Sequence, residues 1–223
     1  MITFIDLYND ITGQAWSMFD GEVEDKDEFE TTVTTSIQKA LTTLWCSHKF
    51  PFRYKTQTIK TRAGQNTYNL PNGNITTKVI DHKKVYSVKC DLNFLNFDPS
   101  YEIKEDEGGE PEGFYVNNDK MVIYPTPDDT YTIKVDYLSI FPALTEDREQ
   151  IGTLTEDTDY IDIPEKYEIL FKNTLLPLAM VYLIASEQDE NYSAYWKQYQ
   201  LALNLLLEYT RGVEFDKSIG WRD

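Results

Sequence analysis

The chain has little of what active sites and nucleic-acid surfaces are usually made from. Its 223 residues include two histidines, His48 and His82, and no His-x-x-x-His or Glu-x-x-His pair. The common zinc and di-iron patterns are therefore missing. There is no Gly-x-x-x-x-Gly-Lys loop to cradle a phosphate and no Gly-x-Ser-x-Gly elbow to present a serine nucleophile. Gly108-Gly109 sits among carboxylates, which repel phosphate. The two cysteines, Cys46 and Cys90, lie far apart in sequence and read as buried free thiols of a reducing compartment, not as a disulfide or metal pair. No stretch approaches the roughly 18–20 apolar residues of a membrane span, and Met1-Ile2-Thr3-Phe4-Ile5-Asp6 lacks the basic start and apolar core of a signal peptide. Positive charge is scarce: 21 Lys and Arg face 38 Asp and Glu, for a net charge of −17. Neutralising phosphates takes Lys and Arg, so the whole molecule does not read as a nucleic-acid binder. With so many acids, carboxylate pairs arise by chance and no glycosidase pair stands out. The loop 147–162 carries Asp157, Asp159 and Asp162 but lacks the glycine and final glutamate of a calcium loop. No catalytic, metal-binding or cofactor-binding residue is assigned, and a non-enzymatic protein is expected.

What the chain does have is aromatic and β-branched material in ordered patterns. It is 41% hydrophobic and 14% aromatic, with 16 Tyr and 11 Phe, which marks a folded chain long enough to bury a core. The most legible stretch is 112–137. Phe114–Val116 and Met121–Tyr124 are short apolar runs around the turn residues Asn117-Asn118-Asp119. Pro125 and Pro127 stop the second run, because proline cannot donate to a ladder. Tyr131, Ile133, Val135 and Tyr137 then alternate with polar residues at the period of a half-buried strand. Three strands in a meander are expected, as architecture and not as a site.

Helices flank this region. Phe4, Leu7, Tyr8 and Ile11 have helical spacing, with Thr3 as N-cap and Asp6 three residues on, and a stop near Gly13. An acidic connector, 18–30, leads to a second helix in which Phe29, Val33, Ile37, Leu41, Leu44 and Trp45 share a face. Strands are expected at 54–61, 67–71, 78–80, 85–88 and somewhere in 93–103. After a second acidic loop, Pro164 with Glu165 and Glu168 opens a helix that Pro177 should kink. Tyr192, Tyr195, Trp196, Tyr199, Leu203, Leu206 and Leu207 line a last helix to about Gly212, and the short connection implies an antiparallel hairpin. The predicted fold class is α+β: a helical bundle from the N- and C-terminal helices with an inserted antiparallel β lobe. The expected parts are 1–50 (N-terminal helices), 51–144 (β lobe), 145–211 (acidic loop and hairpin) and 212–223 (a tail with apolar anchors).

Charge is unevenly spread. Lys49, Arg53, Lys55, Lys60 and Arg62 form a stretch with no acid, followed by Lys78, Lys83, Lys84 and Lys89. Acidic blocks lie at 20–30, 102–112 and 146–168. Two ordinary solvated faces account for this; so does a head-to-tail contact in which the basic face Arg53, Lys55, Lys60, Arg62, Lys83 and Lys84 meets an acidic face on the next subunit.

The order of motifs resembles a known family. Phe4-Ile5-Asp6-Leu7-Tyr8, the long second helix, Tyr68-Asn69-Leu70-Pro71, Met121-Val122-Ile123-Tyr124-Pro125-Thr126-Pro127-Asp128, Tyr131–Tyr137, Pro142-Ala143-Leu144-Thr145 and Ile163-Pro164-Glu165-Lys166-Tyr167 succeed one another as in the head-to-tail adaptor proteins of short-tailed bacteriophages, the tail tubular protein A type. The likeness covers most of the chain. It implies a non-enzymatic homo-oligomeric ring, usually of twelve copies, between the portal protein and a downstream tail or nozzle protein. It also implies a place at the virion head–tail junction after synthesis in the host cytoplasm, with no cofactor and no membrane. The C-terminal tail would reach into the portal, which gives Phe215, Ile219, Trp221 and Arg222 a docking role. An acidic wall would let double-stranded DNA pass without sequence-specific binding. Two rivals stay open: a tail-associated carbohydrate- or receptor-binding module, and a wall-degrading glycosidase.

Overall fold

Thr3 and Asp6 start the first helix as their spacing predicts. The Asp6 N–H donates to Thr3 Oγ1 at 3.3 Å and the Thr3 N–H to Asp6 Oδ2 at 3.4 Å, a reciprocal cap. In the computed structural model, which describes residues 1–18, 26–69, 85–90, 93–97, 108–117, 120–184 and 190–219, this helix is α1, Phe4–Met18. It does not stop at Gly13. Ile11 and Ala15 are both fully buried, so the core-facing side holds the helix together across a glycine that costs only about 1 kcal/mol.

Helix α2 spans Lys26–Ser47 and buries Val33, Ile37, Ala40, Leu41, Leu44 and Trp45. Its hydroxyl residues fold back on the helix: Thr31 Oγ1 donates to Asp27 O, Thr32 Oγ1 to Glu28 O and Ser36 Oγ to Thr32 O, at 2.8–2.9 Å. These bonds satisfy the hydroxyls without adding helix propensity, so packing carries this helix. Helix α3, Glu165–Leu183, follows Pro164 and runs on past Pro177. Helix α4, Glu190–Ile219, is the longest, and it continues well beyond the expected end near Gly212. No proline interrupts 190–219, and extending a nucleated helix adds a hydrogen bond for each residue fixed.

Two compact units result: Met1–Phe52 with Ile140–Asp223, and Arg53–Ser139. The first is helical, with one aromatic centre. Phe50 and Phe52 stack at 5.0 Å, and Phe171 meets Trp45, Phe50 and Phe52 edge-on at 5.8–6.4 Å. Each fully buried side chain of this kind contributes about 1.5–3 kcal/mol. A small sheet of β9 (Ala143–Leu144), β10 (Gln150–Ile151) and β11 (Tyr160–Ile161), in the order β10-β9-β11, also belongs to this unit. The N-terminus is tied to it: the Phe4 N–H donates to Asp159 O and the Ile161 N–H to Ile2 O.

The second unit holds two sheets sharing one core. One orders β1 (Tyr54–Lys60), β8 (Thr132–Leu138), β3 (Val85–Cys90) and β4 (Asn93–Phe94); the other orders β2 (Thr67–Asn69), β7 (Lys120–Tyr124), β6 (Gly113–Asn117) and β5 (Asn96–Phe97). Tyr68, Phe114, Met121 and Ile123 from one sheet and Ile133 and Val135 from the other form a single buried cluster. The pairing is antiparallel except between β5 and β6, which run parallel.

The expected meander is corrected here. β6 and β7 pair as a hairpin, but β8 leaves that sheet and pairs with β1 and β3. Pro125 and Pro127 are the reason, since they break the ladder where β8 would have continued it. The crossing segment is secured by the turn at 61–66 instead. The Gly64 N–H donates to Pro127 O at 2.8 Å, with Gly64 in the left-handed region at φ 77° that glycine adopts without strain. The Tyr131 N–H donates to Thr61 Oγ1 at 2.6 Å, and Thr61 Oγ1 donates to Asp129 O at 2.9 Å. The strand expected at 78–80 lies outside the described residues.

Candidate functional site

Among the described residues no group of three or more His, Cys, Asp or Glu is placed to hold a metal ion, and no helix is long and apolar enough to cross a membrane. His48, at the end of α2, is half-buried; desolvation and then the positive charge of Arg211 hold its pKa below the ordinary value. Cys46 is free, but it is exposed and not buried as expected. It follows Trp45 on α2, and the core-facing side of that turn is already taken by Leu44 and Trp45.

The basic stretch divides. Arg53 is only 4% exposed, and its Nε donates to Ser139 O at 3.0 Å, which turns its charge inward. Lys55 and Lys60 both lie on β1 but at positions of opposite parity, so they stand on opposite faces of the sheet. Lys55 is half-buried in register with Tyr137, while Lys60 and Arg62 are exposed. Around Lys60 the outer face of β1 and β8 is polar, with Thr56 Oγ1 donating to Asp136 Oδ1 at 2.6 Å. Lys83 and Lys84 lie outside the described residues.

The C-terminal residues expected to dock fall in two groups. Phe215 and Ile219 are on the last turns of α4, while Trp221 and Arg222 lie outside the described residues. Tyr167 near the start of α3 meets the Tyr209 ring at 5.8 Å. From Arg211 to Ile219, about 12 Å of helix, α4 therefore runs past the first turn of its hairpin partner.

Two features escaped sequence reasoning. The first is a second apolar side on α4, where Leu201 is 67% exposed, Leu205 57% and Tyr209 43%. Leucines at 201, 203, 205, 206 and 207 are more than a one-sided helix needs, and that surplus is the signal. The second is an open groove of about 590 Å³ between α1 and α2, lined by Phe4, Ile5 and Tyr8 and edged by Asp27, Glu30 and Asp157. Burial and the nearby Glu30 carboxylate raise the Tyr8 pKa. Nothing in the linear sequence brings Asp157 to this helix pair; the loop that carries it is positioned by Asp159. The buried Asp159 carboxylate accepts from the Thr155 and Glu156 N–H groups at 2.7 and 2.9 Å and from Thr155 Oγ1 at 3.1 Å.

The exposed features of the helical unit are thus apolar residues on α4 and a groove lined partly by carboxylates. No curated protein matches the chain. A family model, described as SU10 adaptor protein, matches residues 7–216. That span takes in both helical segments and the whole β unit, and the chain belongs to this phage head–tail adaptor family.

Proposed function

We propose that this structural adaptor of the phage virion assembles as a homo-oligomeric ring, of twelve copies, between the portal protein and a downstream tail or nozzle protein. The observation that carries this reading is the match of an adaptor family over residues 7–216. The overhanging end of α4 supports a portal-facing role for residues 212–223, with Phe215, Ile219, Trp221 and Arg222 as anchors. Lys60 and Arg62, with Lys83 and Lys84, supply positive charge toward an acidic neighbour. The net charge of −17 keeps passing DNA from adhering, because like charges repel within a Debye length of about 8 Å at physiological salt. The ring thus seals the junction while leaving the genome free to slide.

Native mass measurement, alone and with the portal ring of the same phage, tests the reading. Ring-sized multiples and a ring-on-portal complex are expected. A protein that stays monomeric at high concentration and never joins the portal sinks it. Deleting residues 212–223 should abolish portal docking while leaving the far-ultraviolet dichroism of the rest unchanged; undiminished docking removes the tail from the account.

A further inference from the structure

The helices of the first unit pack in a definite order. The main packings are α3 with α4, α3 with α2, and α1 with both α2 and α3. Helix α3 therefore stands between α4 and the α1–α2 pair, and its buried residues, among them Phe171, Leu175, Leu178 and Met180, serve both sides. In the main packings α4 meets only α3, whereas the groove is lined from α1 and α2, so the two surfaces belong to different helix pairs.

Their chemistry matches. Lys197, Leu201, Leu205 and Tyr209 recur every four residues on α4, so they follow one side of the helix. The groove is lined by the apolar groups of Phe4, Ile5 and Tyr8, by Thr31, Thr34 and Thr35, and by the carboxylates of Asp27, Glu30 and Asp157. Two leucines exposed one turn apart gain by covering those apolar groups. Lys197 at one end of the stripe and Arg211 beyond the other carry charge opposite in sign to the groove's carboxylates. Groove against groove does not suit, since it sets the carboxylates of Asp27, Glu30 and Asp157 together. An amphipathic helix laid in a groove is a familiar mode of recognition.

We propose that these are the two halves of one contact, with α4 of one copy seated in the α1–α2 groove of the next. The contact is heterologous, and successive copies joined this way close into a ring when the rotation permits. It rests on the ring reading above and names the seam within it.

Two variants in a background carrying Cys46→Ser and Cys90→Ala test the seam. One carries Leu201→Cys and the other Thr34→Cys, a groove-lining position. Mixed under mild oxidant, they should give a disulfide-linked heterodimer well in excess of either homodimer. Homodimers in excess, or no cross-link, overturn the proposal. In parallel, the exposed double variant Leu201→Asp/Leu205→Asp should keep the wild-type dichroism and associate more weakly by roughly 100-fold, the loss expected for two unburied leucines. Undiminished ring assembly by that variant overturns the seam and leaves the ring reading standing. A wild-type chain that never associates, with or without the portal, sinks both.

Discussion

The side-chain amide of Gln38 pairs with the backbone of Leu154 in both directions: the Leu154 N–H donates to Gln38 Oε1 at 3.2 Å, and Gln38 Nε2 donates back to the Leu154 carbonyl. The amide acts as a one-residue strand partner, tying α2 to the loop that leads to β11. Leu154 itself is buried, so its backbone groups have little access to water. Gln38→Ala is expected to cost about 1–3 kcal/mol, the usual penalty for a stranded buried donor and acceptor. Urea denaturation measures it. A loss below a few tenths of a kcal/mol means that water replaces the amide.

Tyr131 and Asp128 give a titration signature. The Tyr131 hydroxyl donates to Asp128 Oδ1 at 2.7 Å. That hydrogen bond, with the carboxylate's negative charge, pushes the Tyr131 pKa up to about 12 from 10.0. A raised pKa means that the bond's stabilisation is complete below the unfolded value near 10 and is lost as pH climbs through about 12. In a difference titration at the tyrosinate absorbance band, wild type against Tyr131→Phe, the missing group should titrate near 12. Asp128→Asn should bring it down toward the ordinary value. An unchanged midpoint in Asp128→Asn removes Asp128 as the cause.

Gly113 sits opposite Tyr124 in the β6–β7 hairpin, and a Cβ there would lie 2.3 Å from the Tyr124 ring. Gly113→Ala should therefore cost about 1–3 kcal/mol through overpacking. The same change in a Tyr124→Ala background should cost far less, because the clashing ring is gone. A double-mutant cycle reads the coupling, and additive losses show that the backbone conformation, not the ring, requires glycine.

Phe171→Ala removes the ring around which Trp45, Phe50 and Phe52 are arranged. A loss of about 3–5 kcal/mol is expected for a buried phenylalanine. Trp16, Trp45 and Trp196 belong to the helical unit and no tryptophan lies between Arg53 and Ser139, so tryptophan fluorescence does not follow the β unit. A wild-type midpoint in denaturant would falsify the view that this aromatic centre holds the helices together.

The sequence made the helical unit and most strands legible, because their signals are local. The stripe from Val33 to Trp45, the alternation from Ile133 to Tyr137 and the Thr3–Asp6 cap each follow from residues a few positions apart. The β7–β8 connection misled for the opposite reason. Alternation shows that β8 is a strand, but its partners, β1 and β3, are chosen by hydrogen bonds from Thr61 and Gly64 that no nearby residue announces. The length of α1 depended on burial of Ala15, a weak signal beside Gly13. The surfaces proposed for assembly were the least legible. The groove needs α1, α2 and the loop bearing Asp157 together, and the outward leucines of α4 look like core until α3 is seen to occupy only one side.

The β unit begins and ends at one place. Tyr54 pairs with Leu138, and the Ser139 N–H donates to Arg53 O at 2.8 Å, so the first and last residues of the insertion are hydrogen-bonded neighbours. A stem closed in this way makes the lobe an exchangeable cassette, since whatever lies between 54 and 138 can be lengthened, shortened or replaced without moving the two points where it joins Phe52 and Ile140. In the laboratory, a short glycine bridge from Phe52 to Ile140 would yield the frame alone.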